Sequence, residues 1–206
     1  MPYLISLLTL ECESFQAGRI SNYLSEWRKI TSDPQILSYV TGVEIERKEV
    51  PQDRRYMAHR ETRLSEREKS LIEKETSSLL RKKVLEVAKP CADEVISPIF
   101  LTPKPDGSYR MILNLKKFNK QVVYRHFKMD TLNTIINLMS KDCYMASVDL
   151  KDAYYSVPIS KKDRKYLRFR FNGKTLQYRS LPNGLTSSPR LFTKILKAPL
   201  SLSKSL

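Results

Sequence analysis

Two tight-turn signatures do most to limit what this chain can become. Asn172-Gly173 separates two runs of strand-forming residues, 166–171 and 175–178. Asn-Gly is the favoured pair for a two-residue type I′ turn, whose central residues both need positive φ. Pro105-Asp106-Gly107 does the same between Ile99-Phe100-Leu101 and residues 109–113, with Pro presetting one dihedral and Gly supplying a positive one. Two antiparallel hairpins are therefore expected. An isolated hairpin is only marginally stable in water, so the segments around them decide the fold.

Those segments read mostly as helix. Ser65 followed by Glu68 has the form of a capping box, in which each side chain satisfies an orphan backbone N–H. Leu64, Leu71, Ile72, Leu79, Leu80, Val84 and Leu85 then recur at helical spacing up to a stop at Pro90. The charges between them read as a solvated face. Asp130 is placed to cap a second helix carrying Leu132, Ile135, Ile136 and Met139. Ser187-Ser188-Pro189 starts a third, which carries Leu191, Phe192, Ile195 and Leu196. Residues 144–148 are expected to form a core strand that ends at Asp149. The order helix, hairpin, helix, strand, hairpin, helix argues for an α+β fold. Upstream, residues 18–45 mix Tyr23, Trp27, Tyr39 and aliphatics with Pro34 and read as an ordered, irregular extension. Residues 51–60 read as a polar linker, whose Arg54, Arg55 and Arg60 suit either a solvated loop or phosphate contact.

Composition narrows the partners. With 206 residues and 41% apolar content, the chain is long and hydrophobic enough for one medium domain with a core. Its 37 Lys+Arg against 22 Asp+Glu give a formal charge of +15, which attracts polyanions because bound cations release condensed counterions. Membrane surfaces attract cations too, so charge alone only favours nucleic acid. Cys12, Cys91 and Cys143 are scattered and odd in number, so a reducing compartment is expected rather than a disulfide framework. His59 and His126 are too few for a Cys/His zinc site. The apolar residues 1–10 follow no basic residue and are too short to span a bilayer. The expectation is a cytoplasmic or nuclear chain, not a secreted one, with no membrane partner.

The stretch richest in chemistry is Ser147-Val148-Asp149-Leu150-Lys151-Asp152-Ala153-Tyr154-Tyr155-Ser156-Val157-Pro158-Ile159. An apolar strand delivers Asp149 to its C-terminal end, exposed and rigidly held, and carboxylates suit Mg²⁺ as hard oxygen ligands. Taken alone, such an Asp reads first as a cap. Asp152, three residues on, either shares a site with it or caps the next turn.

Taken together, these residues closely resemble motif A of reverse transcriptases: an apolar strand, Asp, two residues, then Asp-Ala-Tyr/Phe. The continuation Tyr155-Ser156-Val157-Pro158-Ile159 is similar to that of retroviral and gypsy-like elements. Ser97-Pro98-Ile99-Phe100-Leu101-Thr102-Pro103-Lys104-Pro105-Asp106-Gly107-Ser108-Tyr109-Arg110 resembles the family's fingers hairpin. Leu181-Pro182-Asn183-Gly184-Leu185-Thr186-Ser187-Ser188-Pro189 with Phe192 resembles motif B. Gly18-Arg19-Ile20 and Trp27-Arg28-Lys29-Ile30-Thr31-Ser32-Asp33-Pro34 resemble the leader of DIRS-type retrotransposons.

The resemblance implies the fingers and first half of the palm of a right-hand polymerase, with residues 1–60 as leader and linker and residues 61–206 as a partial reverse transcriptase domain. The implied activity is RNA-templated DNA synthesis with two Mg²⁺ ions, a dNTP, an RNA template and a DNA primer. Asp149 matches the first metal-binding carboxylate, and Leu150 would add a backbone carbonyl. Lys104 and Arg110 match the residues that embrace the nucleotide triphosphate; without the family they are ordinary hairpin charges. Asp152 and Ala153 would cradle phosphates through backbone N–H groups. Tyr154 matches an aromatic gate that excludes a ribose 2′-OH, and is otherwise a core aromatic. Gly184 would let the backbone approach the substrate closely. Asn183 stands where many relatives have Gln or Phe, which weakens its assignment to the nascent base pair.

After motif A, Lys161, Lys162, Arg164, Lys165, Arg168, Arg170, Lys174 and Arg179 are opposed locally by Asp163 alone. They suit either a solvated face or contact with template and primer phosphates. The family's second carboxylate block, an aromatic-x-Asp-Asp turn, has no counterpart: the chain contains no Asp-Asp and no acidic residue after Asp163. The expectation is therefore a reverse transcriptase domain truncated before that block and without polymerase activity by itself. Competing readings are a non-enzymatic basic nucleic-acid-binding remnant and, less favoured, an interaction protein with no polynucleotide role. Nothing in the sequence sets an oligomeric state.

Overall fold

Local signals account for most element starts. The computed structural model describes residues 15–48, 64–104, 107, 109–129, 131–143 and 149–202. The strand expected over 144–148, the apolar residues 1–10, the linker over 51–60 and the cap Asp130 lie outside them.

The N-terminal residues expected to be irregular are mostly helical. A 3₁₀ turn, Arg19–Tyr23, leads into α1, Leu24–Ile30. Asp33 then caps α2, Pro34–Gly42: its Oδ1 accepts from Gln35 N at 2.8 Å and Ile36 N at 3.3 Å, with Pro34 in the first turn. That is the favoured chemistry for a helix start. The face of α2 carrying Ile36, Tyr39 and Val40 is buried. Val40 and Val43 are 0% exposed, and Tyr39, Val43 and Ile45 belong to the main core.

The capping box forms as expected at the start of α3, Glu66–Arg81. The helix ends four residues earlier than the hydrophobic spacing suggests, because Leu85–Val87 becomes strand β1. Lys83 N donates to Leu80 O at 3.0 Å and Val84 N to Leu79 O at 2.9 Å. These are the two backbone bonds of a Schellman stop, with Lys83 left-handed at φ 56 where Gly is usual.

β2, Ile99–Pro103, pairs antiparallel with β3, Tyr109–Leu113. Within their turn Gly107 has φ 78 and donates to Lys104 O at 3.0 Å; Pro105 and Asp106 lie outside the described residues. α4, Lys116–Asn119, follows. α5, Leu132–Leu138, is capped by the Thr131 hydroxyl, which accepts from Thr134 N at 3.3 Å. β4, Arg168–Phe171, and β5, Lys174–Tyr178, form the second hairpin. Its Asn172 and Gly173 have φ 47 and 69, as a type I′ turn requires. α6, Ser188–Leu202, closes the described chain.

β1, β5 and β4 make a three-stranded antiparallel sheet in that order. Its inner residues Leu85, Phe169, Leu176 and Tyr178 join Phe118, Leu113 and Leu181 in one core, with Ile72 and Leu79 of α3 on one side and Leu191 and Ile195 of α6 beside them. Burying such side chains contributes about 1.5–3 kcal/mol each before entropy is counted. Among the described residues no helix is long and apolar enough to cross a membrane.

Gly184 ties the loop before α6 to this core. It has φ 105, and a Cβ there would stand 2.6 Å from Leu113 O. Asn119 Nδ2 donates to Gly184 O at 2.8 Å, and Asn119 Oδ1 accepts from Thr186 N at 3.0 Å. The expected outcome is that Gly184→Ala lowers unfolding free energy by about 2–3 kcal/mol, because backbone must move. Gly173→Ala, with open space but positive φ, is expected to cost about 1 kcal/mol. Urea unfolding of the two variants decides whether close approach or φ alone governs.

Candidate functional site

Register decides which charges meet at the tip of the first hairpin. Thr102 pairs with Arg110 and Pro103 with Tyr109. Side chains alternate along a strand, so Thr102 and Lys104 share a face, and Arg110 opposite Thr102 shares it too. The two cations thus project together. They line a cleft of about 310 Å³ with Glu75 of α3, Asn183, and Asp152, Ala153, Tyr154 and Tyr155.

The last four belong to a 3₁₀ turn, Ala153–Ser156, and its preceding residue. Asp152 is left-handed at φ 55 and makes no side-chain cap bond. Its Oδ2 instead lies 2.6 Å from Lys82 Nζ at the end of α3. Of the two readings open for this carboxylate, capping is not what it does. Tyr154 is half-buried and meets Phe192 edge-on at 5.5 Å between ring centroids. Tyr155 is buried, and its hydroxyl accepts from Asn183 Nδ2 at 3.3 Å. Burial pushes the Tyr155 phenol well above its ordinary pKa, with the charges of Glu75 and Asp152 adding to it. It is therefore a neutral, polar tip at the cleft wall.

The expected site residues divide into those the fold gathers and those it does not. Lys104, Arg110, Asp152, Ala153 and Tyr154 are gathered in the cleft. Asp149 and Leu150 are exposed and do not line it. Gly184 does not line it either; its close approach is to Leu113 of its own chain. Asn183 is in the cleft although motif comparison weakened its assignment. Glu75 and Lys82 were missed. Their one sequence signal is position on the α3 pattern, which reads equally as solvated face.

The basic run also needs correction. Its opposing acids come from elsewhere in the chain, not from Asp163 alone. Arg168 is 6% exposed, and its Nη1 lies 2.5 Å from Glu94 Oε2 and 3.1 Å from Lys89 O, while its Nε donates to Gln177 Oε1 at 2.8 Å. It is a core ion pair and is not presented to phosphate. Arg164 is engaged by Glu86 at 3.0 Å and donates to Ile159 O. Lys162 pairs with Glu44 at 2.7 Å at the surface, and Arg170 lies 3.7 Å from Glu94. Asp163 is buried and accepts from Ile45 N at 2.9 Å. Lys161 is exposed, and Lys165 sits over the Tyr166 ring at 5.3 Å.

Two Mg²⁺ ions need several oxygen ligands converging at short range. Among the described residues no three His, Cys, Asp or Glu side chains group to hold a metal. Among the described residues no such group includes Asp149, and Asp152 is held by Lys82. This donor set does not fit a two-metal site by itself.

Residues 102–205 match the family model described as reverse transcriptase (RNA-dependent DNA polymerase). The chain is similar to the Gag-Pro-Pol polyprotein of sheep pulmonary adenomatosis virus, 31% identical over 114 residues, covering 51% of this chain and 6% of that protein. It is similar to the Pro-Pol polyprotein of simian foamy virus type 1, 29% identical over 97 residues, covering 47% of this chain and 8% of that protein. The Transposon Tf2-3 polyprotein of Schizosaccharomyces pombe is 25% identical over 107 residues, 52% of this chain and 8% of that protein. The chain thus spans a small part of each. The DIRS-type likeness of residues 18–34 draws no support from these relatives. In fold it is similar to the foamy viral protease-reverse transcriptase solved in complex with double-stranded DNA: TM-score 0.61, 20% identity, 92% of this chain and 37% of that one.

Two outcomes test the electrostatics. Glu94→Gln leaves Arg168 buried without its counter-ion and is expected to cost about 3 kcal/mol, read by thermal and urea unfolding. Burial raises the Glu86 carboxyl, but hydrogen bonds from Gln177 and Arg164 and the charges of Arg164 and Arg179 outweigh it, so its pKa is lowered overall. Its contribution is therefore present above the ordinary value of 4.5 and lost as pH falls through the lower folded value. A stability profile from pH 7 downward is expected to drop less steeply in Glu86→Gln than in wild type.

Proposed function

Because this chain belongs to the reverse transcriptase (RNA-dependent DNA polymerase) family, we propose that its cleft receives the triphosphate of an incoming dNTP and forms the nucleotide side of an RNA-templated DNA polymerase. The observation that carries this is the pairing register that brings Lys104 and Arg110 onto one hairpin face over Asp152, Ala153 and Tyr154. Arg offers a planar fork and Lys a point charge, a pair suited to phosphate oxygens. Lys82 takes up the Asp152 carboxylate, which lowers the repulsion that a triphosphate meets beside it.

Tyr154, braced by Phe192, acts as a steric gate against a 2′-hydroxyl. The nucleic-acid partner is an RNA template with a DNA primer. That the foamy viral neighbour was solved with double-stranded DNA supports a nucleic-acid partner, and the work belongs in the cytoplasm or nucleus. Mg²⁺ supplies charge neutralisation and nucleophile activation in such polymerases. In this reading Asp149 and the Leu150 carbonyl contribute to that site only together with carboxylates beyond the described donor set.

That donor set favours a second reading for the 206-residue polypeptide by itself: binding without nucleotidyl transfer. In titrations of the polypeptide with a fluorescent dNTP in Mg²⁺, Lys104→Ala and Arg110→Ala are each expected to weaken binding about tenfold, the effect of one lost charge-assisted contact. Unchanged affinity in both variants removes the cleft from the account. Incorporation on a primed RNA template is expected to be absent. Incorporation that Asp149→Ala abolishes would show a complete catalytic site and defeat the second reading.

A further inference from the structure

A second cavity, about 610 Å³, opens between the N-terminal residues 16–22, the end of α2 and residues 158–161. It shares no lining residue with the cleft. Five cations line it, Arg19, Lys83, Lys161, Arg164 and Arg179, and among the described residues no carboxylate does. Asn22, Thr41 and Ser160 add uncharged donors. Glu86 engages two of the five: it lies 3.0 Å from Arg164 Nη1 and 3.4 Å from Arg179 Nε. The Arg179 Nε is buried and, despite that distance, makes no hydrogen bond. Among the described residues, no carboxylate pairs with Lys83 or Lys161. Lys83 and Lys161 therefore add positive charge to a concave wall that already carries arginines, and a bound oxyanion relieves the repulsion between them.

Lys83 makes the case sharper. It occupies the left-handed position after α3, where Gly is the default and a side chain adds strain. The bonds that stop the helix are backbone to backbone, so the lysine side chain adds nothing to them. What it adds is a positive charge on a residue that lines this cavity.

We propose that this cavity is a second anion site, separate from the nucleotide cleft, which takes phosphate oxygens from a nucleic-acid backbone or a free polyphosphate. The test uses the 206-residue polypeptide carrying Lys104→Ala and Arg110→Ala, so that failure of the cleft reading and failure of this one are distinguishable. Binding of a labelled single-stranded oligonucleotide is followed by anisotropy over a salt series, and binding of tripolyphosphate by calorimetry, both in EDTA. Adding Lys83→Gly and Lys161→Ala is expected to weaken binding at least tenfold. It is also expected to reduce the slope of log K against log salt for the oligonucleotide by about 1.4, at roughly 0.7 per lost single-strand contact. Lys83→Gly alone is expected to keep or raise the melting temperature while weakening binding, an outcome that a purely structural lysine does not give. Loss confined to the oligonucleotide identifies a strand as the source, and loss confined to tripolyphosphate identifies a free polyphosphate. Unchanged affinity for both ligands overturns the site.

Discussion

Residues 155–160 are gripped from both sides by backbone hydrogen bonds, and the positions of both cavities depend on that grip. On one side Gly18 N donates to Tyr155 O at 2.8 Å, Val43 N to Pro158 O at 2.8 Å, and Ser160 N to Val43 O at 2.9 Å. On the other, Ile159 N donates to Arg179 O at 2.8 Å and Leu181 N to Val157 O at 3.0 Å. Val157 and Ile159 are almost wholly buried between these flanks, where unpaired backbone groups would be expensive. One end of the segment leaves directly from Asp152, Ala153 and Tyr154 at the cleft. The other passes into the wall of the second cavity at Ser160 and Lys161. Without the N-terminal residues the first set of bonds loses the donors Gly18 N and Val43 N and the acceptor Val43 O, so that region holds up the cleft as surely as the sheet does.

What could be read from sequence was what short-range chemistry decides. The type I′ turn at Asn172-Gly173, the capping box at Ser65 and the start near Ser188 each depend on residues a few positions apart. The first hairpin was legible for the same reason, whereas the joint role of Lys104 and Arg110 came only from the family resemblance. Asp33-Pro34 carried an equally local cap signal, but a proline among scattered aromatics reads as irregular unless the residue before it is weighed as a cap. The overrun of α3 had another cause. Val84 and Leu85 continue the helical spacing, and only pairing of Leu85 with Tyr178, far along the chain, draws them into a sheet.

Long-range pairing also explains why Arg168 could not be told apart from the rest of the basic run. Glu94 meets Arg168 across 74 residues and Glu86 meets Arg164 across 78, distances over which no spacing rule operates. A run rich in Arg and Lys therefore mixes two kinds of cation. Arg168 is buried, and replacing both it and Glu94 by apolar groups of similar volume is the change that such a pair tolerates, whereas removing one partner is not. Lys161 is open to anions. The distinction lies in burial, which composition does not report.

Backbone strain separates the two sites in the same way. Among the described residues, the non-glycine positions with positive φ are Lys83, Asp93, Asp142, Asp152 and Asn172. Asp and Asn tolerate the left-handed region because a short polar side chain can bond locally, and Asn172 is there for its turn. Lys83 has no such excuse, and Asp152 spends its carboxylate on Lys82 rather than on its own backbone. Consecutive lysines thus part at the end of α3: Lys82 reaches the cleft wall and Lys83 the second cavity. A right-handed Lys83 would continue the helix, and β1 would lose the turn that carries Leu85 to Tyr178. The strained position is required by the sheet. That a lysine occupies it, where glycine would relieve the strain, is what the sheet leaves unexplained and the cavity explains.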